Sequence, residues 1–378
     1  MSDQERIAWL RTRFPRVAIV HDWLTVPGGS EEVVLQLLEL FPHAELFTSV
    51  YDPAPWPPQI TERPVHASYL SRIPGAKRLY PRLVPLMSRA FESFDLSQFD
   101  LVLSSSHANA KNVHTEATTL HVCYCHTPMR YAWDPRFLTG ESIGRLTRRL
   151  LPPLLEHLRR RDLAGADRPD VFVANSAHVA SRIRRFYHRD AAIVHPPVDV
   201  EHFLGLPRTP QDYYLVFGRL VPYKRVDIAL RAADLVKRPL MVAGGGRALE
   251  SLRPLAGPTA RLLGPVSDSE RDALLSGARA LLFPGEEDFG IVPVEAQAAG
   301  VPVIAYGVGG ARESVLDGTT GVLFDAQTPE SLAAAIERFE QLLLDPRAAR
   351  ENARRFGRDR FRAEMADVIE GAAGRDRS

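Results

Sequence analysis

The stretch Phe283–Tyr306 restricts the possible folds more than any other part of the chain. Ala280–Pro284 is a short apolar run that ends in Pro-Gly, which predicts the end of a buried strand. Pro293 is placed as the first residue of a helix, and Gly300 ends that helix before a second apolar run at Val301–Ala305. A strand, a helix and a strand in this order predict neighbouring parallel strands, because parallel strands need a crossover connection.

The same alternation runs through both halves of the chain. The strand-like runs of the first half are Arg16–Asp22, Ala44–Tyr51, Asp100–Ser105, Leu120–Cys125, Val171–Asn175 and Ala191–His195. Those of the second half are Tyr213–Phe217, Pro239–Ala243, Arg261–Leu263, Ala280–Phe283, Val301–Ala305 and Gly321–Phe324. We therefore expect an α/β protein with two doubly wound, Rossmann-like domains. Residues 1–15 are expected to be a loose lead-in, and the pattern in residues 52–98 predicts no definite structure.

A boundary between the two domains is predicted at Pro196-Pro197, because two prolines stiffen a linker and a new strand–helix series starts beyond them. A chain of 378 residues is also long for a single core. We expect a first domain over residues 1–197 and a second over residues 198–355. Residues 356–378 are expected to form a C-terminal helix that returns to the first domain.

Composition excludes several classes of protein. With 45% hydrophobic residues, 25% charged residues and a net charge of +1, the chain lacks the basic balance of a dedicated nucleic-acid binder. Cys123 and Cys125 are poorly spaced for a disulfide and are expected to be buried thiols of a reducing cytosol. No apolar run reaches the roughly 18 residues of a membrane span, and the N-terminus lacks an apolar signal core. We expect a cytoplasmic protein.

Two cations follow the first strand of the second half. Arg219 and Lys224 lie in one loop at the carboxyl edge of the predicted sheet, where they suit a diphosphate. The alternative is a solvated basic loop before a helix. The glycine turns Gly244–Gly246 and Gly307–Gly310 could direct N–H groups at phosphate oxygens. No dinucleotide fingerprint and no P-loop are present, which argues against an NAD enzyme.

Glu287 and Glu295 allow three interpretations. They could be the acid and base of a hydrolase, a solvated helix start with Glu295 in the first turn, or acceptors for the hydroxyls of a sugar nucleotide. The cationic loop favours the third, because a glycosidase needs no diphosphate clamp. His126 ends a strand of the first half and is as consistent with a structural as with a catalytic role. No histidine has metal-ligand spacing, so we expect neither a metal nor a cofactor.

These motifs resemble a known family. Glu287 and Glu295 are separated by seven residues within the segment from Glu287 to Ala296. Together with Gly218, Arg219 and Lys224 they resemble the donor site of family-four retaining glycosyltransferases with the GT-B fold. The resemblance runs from about residue 16 to about residue 360. Segments of the first half resemble the branch of bacterial O-antigen and exopolysaccharide mannosyltransferases, whose donor is commonly GDP-mannose. They are Val20–Leu24 with Gly28–Glu31, Ser105–Ala108 and Cys123–Trp133.

The resemblance implies a metal-independent transfer from a nucleotide-diphosphate sugar with retention at the anomeric carbon. The donor would bind the second domain and the acceptor the first, across a cleft between them. Arg219 and Lys224 would hold the diphosphate, Glu287 the sugar hydroxyls and Glu295 the ribose, with His126 beside the sugar. Further substrate contacts would come from Gly28, Gly29, Val266, Asp288, Phe289, Gly290 and Ile291. Asp288 departs from the family, which more often has glycine there, and this bears on donor choice.

The acceptor remains open between a lipid-linked or polysaccharide glycan and a soluble molecule with a UDP-sugar donor. A third alternative is a protein that binds a nucleotide sugar without catalysis. The segment Gly144–Arg161, with Lys77, Arg78 and Arg82, could dock on anionic lipid at the inner face of the cytoplasmic membrane. Equally, Gly144–Arg161 could be a core-facing helix with a charged outer face, interrupted at Pro152-Pro153.

Overall fold

The computed structural model describes residues 2–134 and 145–374, with the backbone alone for residues 145–150. The chain divides into two compact units. One comprises the chain up to Pro197 together with the segment that starts at Asp359, and the other is Val198–Arg358. The first residue of the predicted basic segment, Gly144, and the end of the C-terminal tail lie outside the described residues.

The first unit contains a parallel sheet of seven strands in the order β3-β2-β1-β4-β5-β6-β7. The strands are β1 Val17–His21, β2 Glu45–Thr48, β3 Val65–Ala67, β4 Leu101–Ser106, β5 Leu120–Cys125, β6 Val171–Ala174 and β7 Ala191–Ile193. The helices of this half are α1 Asp3–Arg13, α2 Gly29–Leu40, α3 Pro58–Thr61, α4 Ala76–Glu92, α5 Arg130–Trp133, α6 Arg145–Ala166 and α7 Ala177–Tyr187.

The second unit contains a parallel sheet of six strands in the order β10-β9-β8-β11-β12-β13. The strands are β8 Tyr214–Phe217, β9 Leu240–Ala243, β10 Ala260–Gly264, β11 Ala280–Phe283, β12 Val303–Tyr306 and β13 Gly321–Phe324. The helices are α8 Val200–Leu204, α9 Val226–Val236, α10 Leu249–Leu252, α11 Asp268–Gly277, α12 Ile291–Ala298, α13 Ala311–Ser314, α14 Pro329–Glu340 and α15 Pro346–Arg354; α16 Arg358–Ala373 follows.

Both sheets reverse their strand order at the first strand of the unit. In the first unit the reversal lies between β1 and β4, and in the second between β8 and β11. Open parallel sheets bind ligands outside the carboxyl ends of strands at such a switch point. The loops that follow β1, β4, β8 and β11 are therefore where each unit can hold a ligand.

Several expectations about individual elements are wrong. Residues 1–15 are not a loose lead-in, because Ser2 and Glu5 form a capping box that starts α1, and Leu10 of that helix is fully buried. Residues 52–98, for which no structure was predicted, contain α3, α4 and an edge strand, β3. Helix α6 is not interrupted at Pro152-Pro153 but continues through both prolines.

The start of α12 also differs from the prediction. Gly290, at a φ of 88°, is the N-cap residue, so the helix begins at Ile291 and Pro293 is its third residue. Proline is tolerated there because the first four N–H groups of a helix have no partner inside the helix. Glu295 consequently lies in the second turn of α12 and not in the first.

Candidate functional site

The switch point of the second unit brings Lys224 and Glu287 into contact. Lys224 ends a short 3₁₀ turn, Pro222–Lys224, after β8, and Glu287 lies in the loop after β11. The Lys224 Nζ atom is 3.0 Å from Oε1 of Glu287, and both side chains are mostly buried. Burial alone would lower the pKa of Lys224, but the Glu287 carboxylate outweighs it and raises the pKa above its ordinary value. The lysine is therefore a fixed positive charge at neutral pH.

Arg219 lies in the same loop and differs from Lys224 in its surroundings. Its side chain is exposed and makes no hydrogen bond or ion pair with any residue that the structure describes. A small pocket is lined by Gly218, Arg219, Lys224, Gly285 and Glu287 together with apolar residues of β8 and β11. Two cations thus border this pocket: Lys224, which is paired with Glu287, and Arg219, which has no described partner. Both lie in the loop that was expected to bind a diphosphate.

The loop Gly307–Gly310 holds the Glu287 loop in place. Glu287 and Gly309 form an isolated parallel bridge, and the Gly310 N–H donates to the Glu287 carbonyl oxygen at 2.9 Å. A Cβ atom at Gly309, where φ is 76°, would overlap that same carbonyl oxygen. The N–H groups of Gly307, Val308 and Gly310 all have backbone partners. Glycine is therefore required here because the loop packs closely against the Glu287 loop. The sequence had suggested a different reason, namely N–H groups that bind phosphate oxygens.

The glycines of the other expected phosphate turn pack against the Arg219 loop. The Gly218 N–H donates to Ala243 and the Leu220 N–H to Gly245, at 3.1 and 2.8 Å. A Cβ atom at Gly244 would overlap the carbonyl oxygen of Gly218. These bonds extend the pairing of β8 with β9 and fix the backbone on both sides of Arg219.

Glu295 lies half-buried in the second turn of α12. It makes no hydrogen bond or ion pair with a described residue. Burial raises its pKa to about 7, and the charges of Arg271 and Lys224 oppose that effect only in part. The side chain is a carboxyl group that the protein leaves available for a hydroxyl donor.

The remaining residues predicted for the donor site differ in what they offer. The Phe289 side chain is buried in the core, where its ring centroid is 5.4 Å from that of Phe356, so any contact with a ligand would come from its backbone. Gly290 and Ile291 are the N-cap and first residue of α12. Asp288 and Val266 are half-buried, and Val266 follows β10.

His126 belongs to the first unit, so the structure does not group it with the residues above. It directly follows β5, and its Nε2 atom is 2.8 Å from Oγ of Ser105. The Asn175 amide donates to its carbonyl oxygen at 3.0 Å. Burial, with His107 and His21 nearby, holds the pKa of His126 well below its ordinary value. The ring is therefore neutral. Gly28 and Gly29 are exposed at the start of α2.

A buried polar cluster at the switch point of the first unit was missed by the sequence reasoning. The Asp22 carboxylate accepts the backbone N–H groups of residues 107–110 at 2.6–3.0 Å. Burial would raise the pKa of Asp22, but His107, His21 and these N–H groups outweigh it and lower the pKa. The loop that follows β4, up to Lys111, is thus folded around a buried charge. The sequence does show a carboxylate, Asp22, directly after the first strand. Only the strand order shows that this carboxylate contacts the loop after β4.

Comparisons with known proteins agree with this geometry. The family model described as Glycosyl transferases group 1 matches residues 197–356, and the one described as Glycosyltransferase Family 4 matches residues 27–202. The chain is therefore similar to these two glycosyltransferase families over residues 27–356. The group 1 domain contains Arg219, Lys224, Glu287 and Glu295, and the family 4 domain contains Gly28 and His126.

Curated relatives cover part of the chain. It is 34% identical over 253 residues to the D-inositol 3-phosphate glycosyltransferase of Streptomyces coelicolor, across 54% of this chain and 55% of the relative. It is 35% identical over 209 residues to the enzyme of that name from Mycobacterium bovis, across 48% of this chain and 43% of the relative. The chain thus matches about half the length of these curated relatives.

Solved structures are similar over nearly the whole chain. A sucrose-phosphate synthase from Thermosynechococcus elongatus has a TM-score of 0.68 at 18% identity and covers 94% of this chain and 98% of its own. HepE from Anabaena, solved in complex with UDP, has a TM-score of 0.65 at 16% identity and covers 94% of this chain and 100% of its own. Identities this low show the fold alone. The prediction of two Rossmann-like, parallel-sheet domains of the GT-B class is confirmed.

Among the described residues, no group of histidine, cysteine or acidic side chains could hold a metal ion. The helices of the described part of the chain include none that is both long and apolar enough to cross a membrane. Cys123 and Cys125 are buried and not joined by a disulfide, as expected.

Proposed function

We propose that the chain is a retaining, metal-independent glycosyltransferase that transfers a hexose from a nucleotide-diphosphate sugar. The observation that carries the proposal is the pair of cations, Arg219 and Lys224, beside Glu287 at the switch point of the second unit. When the bond between the anomeric carbon and the diphosphate breaks, negative charge grows on the diphosphate. Two cations beside the diphosphate stabilise that charge, and so they lower the barrier.

The two glutamates would hold the donor. Lys224 holds the Glu287 side chain in place through their ion pair, so the carboxylate can accept hydrogen bonds from hydroxyl groups of the sugar. Glu295 has no protein partner among the described residues and would accept from the ribose hydroxyls. The new glycosidic bond would form on the face that the diphosphate leaves, which gives retention at the anomeric carbon.

Two donors are proposed, GDP-mannose and a UDP-hexose, and a different observation supports each. The segments Val20–Leu24 and Cys123–Trp133 resemble mannosyltransferases and favour mannose from GDP-mannose, transferred to a lipid-linked or polysaccharide acceptor. The similarity to HepE structures with UDP and with UDP-glucose favours a UDP-hexose and allows a soluble acceptor.

A thermal-shift series separates these donors. A donor present at 100 times its dissociation constant should stabilise the fold by about 2.7 kcal/mol and raise the melting temperature by several degrees. GDP-mannose, UDP-glucose, UDP-GlcNAc and the free nucleotides are compared, and the stabilising donor is then tested for transfer. A failure of every nucleotide sugar to stabilise the protein would reject the proposal, and stabilisation without transfer to any glycan would favour the non-catalytic binder.

Site variants test the assignment of residues. Lys224→Ala and Glu287→Ala should each abolish most of the transfer and leave the protein folded by circular dichroism. Arg231→Ala is the matched control, because Arg231 is exposed on α9 outside the site. Near-normal turnover in either site variant contradicts the proposed donor site.

We further propose that helix α4 docks on anionic lipid. Arg78 and Arg82 are exposed and unpaired with described residues, and Leu79 and Leu86 are exposed on the same helix. Lys77 is less available, because its ammonium group lies 2.7 Å from Asp52. Cations next to exposed leucines suit the interface between lipid head groups and acyl chains.

A further inference from the structure

The imidazole of His107 lies at the switch point of the first unit, with one nitrogen buried and the other accessible. His107 directly follows β4, and its backbone N–H donates to Oδ2 of Asp22 at 2.7 Å. Nδ1 of the ring is buried and lies 3.3 Å from the same oxygen atom. Nε2 is not buried and has no hydrogen bond to a described residue, and the side chain is 20% exposed.

The pairing of β1 with β4 holds this ring in place. The register of the two strands sets His21 beside Ser105, so the residues that follow each strand meet at the same edge of the sheet. The Asp22 carboxylate follows β1 and accepts four consecutive backbone N–H groups, the first of which belongs to His107. Asp22 therefore fixes both the backbone and the ring of His107.

The same carboxylate determines where the ring proton lies. The pKa of Asp22 is lowered, so its carboxyl group is ionised and can only accept. Burial lowers the pKa of His107, although the charge of Asp22 opposes that effect, so the ring is neutral at pH 7 and has one proton. A bare Nδ1 would set its lone pair against the carboxylate, whereas an N–H there is attracted by the negative charge.

No group of ambiguous direction disturbs this assignment. The contact of Nδ1 with Asp22 does not have the geometry of a full hydrogen bond, but the charge acts at 3.3 Å regardless of the angle. Among the described residues, no hydroxyl group makes a hydrogen bond with either nitrogen of His107. The proton is therefore on Nδ1, and the accessible Nε2 carries a lone pair.

Aromatic side chains lie beside this ring. The ring centroid of Trp23 is 4.4 Å away in an edge-to-face arrangement, and the half-buried Tyr80 of α4 lies 5.0 Å beyond Trp23. The positive charge of Arg130 acts on His107 as well, but it is opposed by Asp22 and Glu31, so the charges do not single out an anion. A neutral nitrogen acceptor among aromatic rings suits the hydroxyl and C–H groups of a sugar.

We propose that Nε2 of His107 accepts a hydrogen bond from a hydroxyl group of the acceptor, and so binds and orients that hydroxyl group. The inference rests on the proposed function, because a transfer needs a second substrate in addition to the donor. In that proposal the switch point of the second unit holds the diphosphate of the donor. The switch point of the first unit is the other place where a parallel sheet of this protein can bind a ligand.

Nitrogen NMR of the full chain labelled with ¹⁵N-histidine tests the state of the ring. The His107 signals, assigned by their loss in His107→Gln, should show a protonated Nδ1 and an unprotonated Nε2 at pH 7. A proton on Nε2 in the wild type overturns the inference, because that nitrogen would then donate.

The same sample tests the class of ligand. Methyl α-mannoside or methyl α-glucoside, each a neutral ring with free hydroxyl groups, should move the Nε2 signal of His107. Sodium phosphate at equal ionic strength should leave it unchanged. A response to phosphate alone would indicate an anion site, and a response to none of the three would indicate no ligand site. Either outcome rejects the inference.

Transfer to the methyl glycoside that moves the signal gives the second readout. His107→Ala should raise the KM for that acceptor about tenfold, the effect of one lost hydrogen bond, and leave the stabilisation by the donor unchanged. In His107→Gln the amide oxygen can reach the position of Nε2 and should retain most of the acceptor affinity. His157→Ala, at an exposed histidine of α6, is the control and should change neither quantity. An equal loss of donor and acceptor binding in His107→Ala would mean that the residue is only structural.

The two proposals fail in different ways. A glycoside that moves the Nε2 signal of a protein stabilised by no nucleotide sugar supports the carbohydrate site and rejects the proposed transfer. Transfer that is detected and is unaffected by His107→Ala supports the proposed function and rejects the role of His107.

Discussion

The side chain of Glu295 titrates near neutrality because it is desolvated without being paired by a described residue. Its pKa in the folded protein is about 7, above the ordinary value of 4.5, so the folded state holds this proton more tightly than the unfolded state. The free energy of unfolding should therefore fall as pH rises from about 4.5 to 7, by on the order of 2–3 kcal/mol. Urea unfolding at pH 5, 6, 7 and 8 measures this fall in the free energy of unfolding.

Glu295→Gln is the control for that prediction, because the amide keeps the shape and cannot ionise. The difference in unfolding free energy between the variant and the wild type should grow with pH over this interval and level off above about pH 7. A constant difference would mean that Glu295 is not the group responsible.

At the scale of elements, the loops around the second switch point support one another through glycines. Gly309→Ala should displace the Glu287 carbonyl oxygen, because the new Cβ would overlap it. We expect a loss of about 2–4 kcal/mol in unfolding free energy, from a left-handed backbone and a steric clash together. Stabilisation by the donor should be lost as well, since Glu287 moves away from Lys224. Urea unfolding and thermal shift with the donor measure the two effects.

Gly318→Ala separates the two causes. Gly318 has a φ of 72°, close to the 76° of Gly309, but a Cβ there would meet only the end of the Arg338 side chain, at 3.9 Å. This variant should lose about 1–2 kcal/mol from backbone strain and keep the donor effect. Equal losses in the two variants would show that contact with the Glu287 loop is unimportant.

At the scale of the whole molecule, the chain passes between the two units twice. It leaves the first unit at Pro197 and returns with α16, whose Phe361, Met365 and Ile369 are buried in the core of the first unit. Arg6 of α1 is 2.7 Å from Asp367 and from Glu370 of that helix. The two ends of the chain therefore stabilise one unit together.

The proposed docking of the molecule on anionic lipid can be measured by vesicle sedimentation. The protein should bind vesicles that contain anionic lipid, bind neutral vesicles less, and release as salt rises. Replacing Arg78 and Arg82 by alanine should reduce binding on the order of 30-fold, at about 1 kcal/mol for each cation. Arg231→Ala with Arg261→Ala makes the same change in net charge at exposed sites of the second unit. Equal binding to anionic and neutral lipid would exclude the docking proposal.

The class of fold could be predicted from the sequence alone, because strands and helices are encoded by local apolar runs and by glycine and proline at their ends. The alternation from Tyr213 to Phe324 was sufficient to predict a parallel sheet, and the observed strands β8–β13 follow it closely. It also singled out the residues of the candidate donor site. Local signals were less reliable for boundaries, since Pro293 is tolerated at any of the first positions of a helix.

The contacts that those residues make could be read only from the folded chain. The ion pair of Lys224 with Glu287 joins two loops that become neighbours because β8 lies beside β11. The contact of Ser105 with His126 likewise requires β4 beside β5. Lys111 is buried and pairs with Asp162 inside the first unit, whereas a lysine in a polar loop is usually exposed. Strand order and burial arise from contacts between residues far apart in the chain, and for that reason no local pattern contains them.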